Sequence, residues 1–206
     1  MKRDHVPLFA TPLFQVEQPD AEWHNEDWIK KALSLEYRLN GHTNWTSIET
    51  DVLDLPNWKL LRDAVQEELD IIIKDYFEQD LNKVKLKITQ SWLNINEDQQ
   101  SHALHTHPNS YMSGVVYLNT VEGDSIRFTD TRFNTRVSLQ PMPTIPIPVK
   151  KGDMVIFDSQ IAHNVDSNAR NEKRISLAFN TFPVGEFGNK QGLTYVKIEE
   201  HDNRNR

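Results

Sequence analysis

The 206-residue chain contains no cysteine, which excludes disulfides, thiolate metal sites and cysteine nucleophiles together. Glycine is scarce at seven, and no glycine-rich loop able to cradle a phosphate is present, so nucleotide-binding folds lose weight. No apolar run approaches the ~20 residues of a membrane span. The opening Met1-Lys2-Arg3-Asp4-His5 is followed by no apolar stretch of the kind a secretory signal carries. A cytoplasmic protein without a membrane partner is expected. Basic residues are outnumbered, 23 Lys and Arg against 30 Asp and Glu, for a net charge of −7. Nucleic acid is therefore not expected as a partner, because polyanions need clustered cations. Lys83, Lys85 and Lys87 form an alternating basic row, which suits a solvated strand face.

What is present is ordinary for a globular protein, with 37% aliphatic and aromatic and 26% charged residues. Val6 to Gln15 reads as a short strand, confined to an edge or a start by Pro7 and Pro12. Asn25 is a good N-cap, and the apolar spacing from Trp28 through Leu39 predicts a helix that Gly41 ends. Pro56 opens a second helix, where Trp58, Leu61, Val65, Leu69, Ile72 and Tyr76 form a stripe that needs a sheet beneath it. From Val84 the period becomes two. Val84, Leu86 and Ile88 alternate with lysines, and Gln90, Trp92 and Asn94 are expected to continue the same face from core into a pocket.

Strand-like runs follow at 111–119, 125–130, 135–139, 153–157, 173–182 and 193–198. Pro141, Pro143, Pro146 and Pro148 fit an extended loop or edge segment better than a ligand for a proline-reading partner. Helices followed by about eight short strands suggest a barrel or sandwich with helices packed on one sheet. We expect one domain over 1–206, with helical support at about 24–80 and a β core at about 84–199.

The chemistry concentrates in the histidines. His105 and His107 are two apart, so on a strand they share a side and can converge on one ion; the bland alternative is a polar strand face. His163 lies 56 residues further on, beyond the apolar strand Met154–Phe157, which can hold a distant ligand rigidly. Arg174 follows inside an apolar run, where a buried guanidinium needs an anion. Its planar fork matches a carboxylate, and Ser176 on the same side can add a hydroxyl. The competing reading of Arg174 is an internal salt bridge. Two close ligands, a distant one and an arginine suit a non-haem iron site that holds a dicarboxylate. His102 reads as a loop or supporting residue, and His5, His24, His42 and His201 as solvent-exposed.

Trp92-Leu93-Asn94, His105-Thr106-His107-Pro108, Ser113-Gly114-Val115-Val116-Tyr117-Leu118, Gly152-Asp153 with Phe157, His163, and Arg174-Ile175-Ser176-Leu177-Ala178-Phe179-Asn180 together resemble the 2-oxoglutarate/Fe(II)-dependent oxygenases of bacteria and phages. The resemblance spans nearly the whole chain and is densest between Ile88 and Gly188. It implies a mainly β double-stranded β-helix, or jelly roll, with N-terminal helices on the major sheet. It further implies Fe(II) and 2-oxoglutarate as cofactors, O2 as co-reactant, and hydroxylation of a C–H bond in a peptide residue such as proline or in a small metabolite. His105, His107 and His163 become the metal ligands, Arg174 with Ser176 the grip on the far carboxylate of 2-oxoglutarate, and Tyr117 and Asn94 lining groups. One position departs from the wider superfamily, which usually places Asp or Glu where His107 stands. Three neutral imidazoles leave a ferrous site two units positive, which a dianionic co-substrate neutralises; alternatively Asp130 supplies the carboxylate and His107 supports it. Two other classes stay open: a cupin-like three-histidine metalloprotein that does not use 2-oxoglutarate, and a non-catalytic jelly-roll binding module.

Overall fold

The computed structural model describes residues 10–41, 43–131, 144–167 and 172–199. In chain order its elements begin with β1 (Leu13–Val16), α1 (Glu26–Leu33), β2 (Tyr37–Asn40), β3 (Asn44–Ser47), α2 (Lys59–Ile71) and β4 (Val84–Asn96). There follow β5 (His102–His105), β6 (Met112–Asn119), β7 (Ser125–Thr129), β8 (Thr144–Pro148), β9 (Met154–Asp158), β10 (Ala162–Val165), β11 (Arg174–Phe187) and β12 (Val196–Ile198). The larger sheet runs β1-β9-β6-β11-β4-β3-β2, with β12 paired to β11, and the smaller runs β5-β10-β7-β8. None of the helices described is long and apolar enough to cross a membrane.

Period-two alternation gives the larger sheet two different faces. Val116 and Leu118 of β6, Met154 and Ile156 of β9, and Ile175, Leu177 and Phe179 of β11 point to the helices. There they meet Trp58, Leu61, Val65 and Leu69, the predicted stripe of α2, each fully buried. Burial of each such side chain contributes about 1.5–3 kcal/mol. The alternate residues Tyr117, Val155 and Phe157 face the smaller sheet and pack on Ile126 and Phe128. The jelly roll with helices on its major sheet is thus the observed architecture.

Several local expectations are corrected. α1 is capped by Asn25, whose side chain accepts from the Asp27 and Trp28 backbone, but it ends at Leu33. Residues 37–47 instead form the β2–β3 hairpin, with Tyr37 opposite Ser47 and Asn40 opposite Asn44; Gly41, at φ 61°, serves its turn rather than a helix end. Tyr76 leaves the stripe and is exposed, with its ring edge-on to Phe14.

In β4 the pairing with β11 shifts register between Asn180 and Thr181, which face Gln90 and Ile88. The extra residue reverses the strand's parity. Leu86 faces the helices before the bulge and Leu93 and Ile95 after it, so Gln90, Trp92 and Asn94 lie on the opposite face, against the cavity. Pro146 and Pro148 do lie on an edge strand, β8. The expected strand at 135–139 lies outside the described residues, as do Val6 to Phe9, Pro141, Pro143, His5, His42 and His201. His24 is exposed.

Candidate metal centre and its cavity

The two sheets hold three imidazoles together. His105 ends β5 and stands directly opposite His163 in the adjacent β10, with ring centroids 4.3 Å apart. His107 lies past the end of β5, where its backbone N–H donates to the Ser159 carbonyl at 2.9 Å. Its ring stacks on that of His163 at 5.0 Å and 3°. The two rings turn Nε2 toward Nε2 at 3.2 Å. One nitrogen from each of the three falls within 4.8 Å of the others. His105 at the strand end and His107, two residues on in irregular chain, come together with ring centroids 5.1 Å apart without lying on one continuous strand.

Supporting contacts fix the tautomers. His105 Nδ1 donates to the Ala103 carbonyl at 2.8 Å and His163 Nδ1 to that of Ile161 at 3.0 Å. Each ring therefore keeps its lone pair on Nε2, as metal-binding imidazoles do. His107 is hydrogen-bonded by the Asn180 side chain, whose Oδ1 also accepts from Ser113 Oγ at 2.8 Å. Burial lowers His163 to about 3 and His107 to about 4, with the neighbouring imidazoles adding to the effect. Phe157, 4.6 Å from the His163 ring, supplies apolar surroundings. The Nε2 atoms of His107 and His163 face one another at 3.2 Å, a separation at which two imidazole nitrogens can share one cation.

These histidines lie at the wall of a cavity of about 660 Å³ that Arg174, Ser176, Tyr117 and Asn94 also line. Arg174 departs from expectation. Its Nε donates to Asp124 Oδ2 at 2.7 Å and its Nη2 to Asp124 Oδ1, so the internal salt bridge forms. The two side chains are 6% and 0% exposed. Among the described residues Nη1 has no partner, nor do Asn96 Nδ2 and His102 Nε2, and all three residues line the cavity. Unpaired buried polar atoms of this kind are costly unless a polar ligand meets them. Tyr117 is fully buried and its hydroxyl is pushed upward, chiefly by burial and then by Asp124, so it stays a neutral donor. Asp130 is not brought into the cluster. It follows β7 and lines a separate cavity with Ile145, Ile147 and Asp158.

Sequence reasoning missed Asp124, Asn180 and the hairpin. Asn180 was within reach, since it continues the alternation Arg174, Ser176, Ala178. Asp124 lies in a turn 50 residues from its partner, and no local pattern connects them.

Two antiparallel sheets enclosing such a cavity form a double-stranded β-helix. Residues 90–180 match the family described as "Putative 2OG-Fe(II) oxygenase". This matched segment carries all three histidines and Arg174.

Solved structures agree on the fold. HygX from Streptomyces hygroscopicus, with nickel and 2-oxoglutarate bound, is 14% identical, with 93% of each chain covered and a TM-score of 0.63. The α-ketoglutarate-dependent epimerase SnoN from nogalamycin biosynthesis is 15% identical, with 85% of this chain and 80% of that one covered and a TM-score of 0.62. An oxidoreductase of the 2OG-Fe(II) oxygenase family from Burkholderia pseudomallei is 12% identical over 82% and 83%, at a TM-score of 0.56. No curated protein matches the sequence.

Proposed function

We propose that the protein is an Fe(II)- and 2-oxoglutarate-dependent dioxygenase that hydroxylates a C–H bond of a small molecule, with His105, His107 and His163 as the metal ligands. The observation that carries this reading is the gathering of three ligand nitrogens within 4.8 Å of one another at the wall of a cavity that Arg174 shares. Bound there, Fe(II) and 2-oxoglutarate would supply the oxidative decarboxylation that yields succinate and CO2 and oxidises the substrate.

The chain's own side chains do the rest. The Ala103 and Ile161 carbonyls hold two imidazoles in the ligating tautomer. Arg174 Nη1 and the Ser176 hydroxyl take the far carboxylate of the co-substrate. The neutral Tyr117 hydroxyl and Asn94 border it, and Phe128 and Phe157 keep water from the His163 side.

One observation favours a second reading. Asp124 occupies the fork of Arg174, which suits a three-histidine metalloprotein that needs no dicarboxylate. Succinate release decides between them. The oxygenase reading predicts succinate that requires both Fe(II) and 2-oxoglutarate and disappears in His163→Ala; iron binding without succinate under any condition would favour the second reading.

A further inference from the structure

The cavity floor continues past the histidines along one face of the larger sheet. It passes from Tyr117 on β6 through Arg174 on β11 and Asn94 on β4 to Thr46 on β3 and Arg38 on β2. Along this path its chemistry changes. The β2–β3 end presents amides and hydroxyls that fix one another: Asn94 Oδ1 accepts from Asn44 Nδ2 at 3.1 Å and from Thr46 Oγ1 at 3.2 Å. Asn44 Oδ1 in turn accepts from Thr43 Oγ1 at 3.1 Å. A ligand laid on such a wall must replace the water lost by whatever polar atoms still face the cavity, which favours hydroxyls over apolar surface.

Beside the wall lies Trp92, 5.9 Å from the His107 ring and tilted 32° to it. An aromatic surface next to hydrogen-bonding groups matches a saturated ring with an apolar face and a hydroxylated edge. Charge narrows the choice. No Asp or Glu is among the described residues lining the cavity, and Arg174 is neutralised by Asp124. Arg38 has no ion pair or side-chain hydrogen bond among the described residues, and it adds a positive charge to the wall. Away from the three histidines, none of the described lining residues offers a charge that would attract a cationic substrate.

The geometry points to a substrate of sugar-like chemistry: a hydroxyl-rich ring without positive charge, stacked on Trp92, with Arg38 favouring one that carries a carboxylate. The inference rests on the proposed function, since it takes the three histidines as the place of reaction.

The test uses the full chain loaded with Mn(II) and 2-oxoglutarate under nitrogen. Four ring compounds, D-glucuronate, D-glucose, D-glucosamine and cyclohexanemethanol, are titrated by calorimetry and tryptophan fluorescence. Glucuronate should bind about three- to fivefold more tightly than glucose, the size an exposed ion pair carries. Glucosamine should bind more weakly than glucose, and cyclohexanemethanol not at all. Arg38→Ala, on an exposed hairpin, should erase the glucuronate advantage and leave glucose unchanged. Trp92→Ala should weaken both sugars by about fivefold or more; if that variant does not fold, the ranking and Arg38→Ala still decide.

Best binding by glucosamine or cyclohexanemethanol overturns the inference. So does binding of 2-oxoglutarate but none of the four compounds, and in that case the oxygenase reading stands. The sugar ranking without 2-oxoglutarate binding keeps the surface and defeats the oxygenase reading. A protein that binds nothing defeats both.

Discussion

Arg174 and Asp124 form a buried pair through two nitrogens of the guanidinium, Nε and Nη2, and Nη1 alone has no partner among the described residues. The carboxylate fixes the guanidinium at the cavity wall and cancels its charge. A ligand carboxylate therefore meets a single oriented donor rather than an open fork. Breaking the pair from the acid side strands a cation in a dry place. Asp124→Ala should cost about 3–5 kcal/mol of stability, read as a lowered urea midpoint; a loss below about 1 kcal/mol would show that Arg174 finds compensation elsewhere.

The same pair separates co-substrate binding from metal binding. Arg174→Ala removes the proposed donor for the far carboxylate without touching an imidazole. The KM for 2-oxoglutarate should rise about ten- to a hundredfold, the worth of a charge-assisted hydrogen bond, while iron content stays unchanged. Turnover at an unaltered KM would remove Arg174 from the co-substrate site.

The metal-free protein should weaken in mild acid. His163 titrates near 3 in the fold and near 6.5 in an unfolded chain. Between those values the unfolded chain takes up a proton that the folded site refuses. Stability is therefore complete above about pH 6.5 and declines as the pH falls toward 3. His107, lowered to about 4, acts in the same direction. Thermal midpoints of metal-free protein should be level from pH 8 to 7 and fall from 6.5 to 5, before most carboxylates protonate. A level profile down to pH 5 would contradict burial of neutral imidazoles.

Packing of β6 on β11 leaves no room for a methyl group at Gly114. A Cβ there would lie 2.3 Å from the Phe179 ring, which is fully buried. Gly114→Ala should cost about 1–3 kcal/mol, and adding Phe179→Leu should recover part of it. Additive losses in the double variant would place the strain elsewhere.

Much of this arrangement was legible in the chain. The spacing of Trp58, Leu61, Val65 and Leu69 is a property of one helix, and the alternation in β6, β9 and β11 a property of single strands, so both can be read locally. The three histidines were found because ligand chemistry restricts residue type strongly. What escaped depends on pairing between distant segments. The bulge opposite Asn180 reverses the face of β4, and nothing in Ile88-Thr89-Gln90 announces it. The β2–β3 hairpin carries helix-compatible spacing through Leu39, but cross-strand pairing with β4 overrides local propensity. Asp124 became visible only when the turn before β7 met the start of β11.

Iron stoichiometry tests the central claim most directly. Untagged protein dialysed anaerobically against Fe(II) should hold one iron per chain. Each of His105→Ala, His107→Ala and His163→Ala should lose it, and Asp130→Ala should keep it. Retention of iron by His107→Ala together with loss in Asp130→Ala would contradict the three-histidine centre.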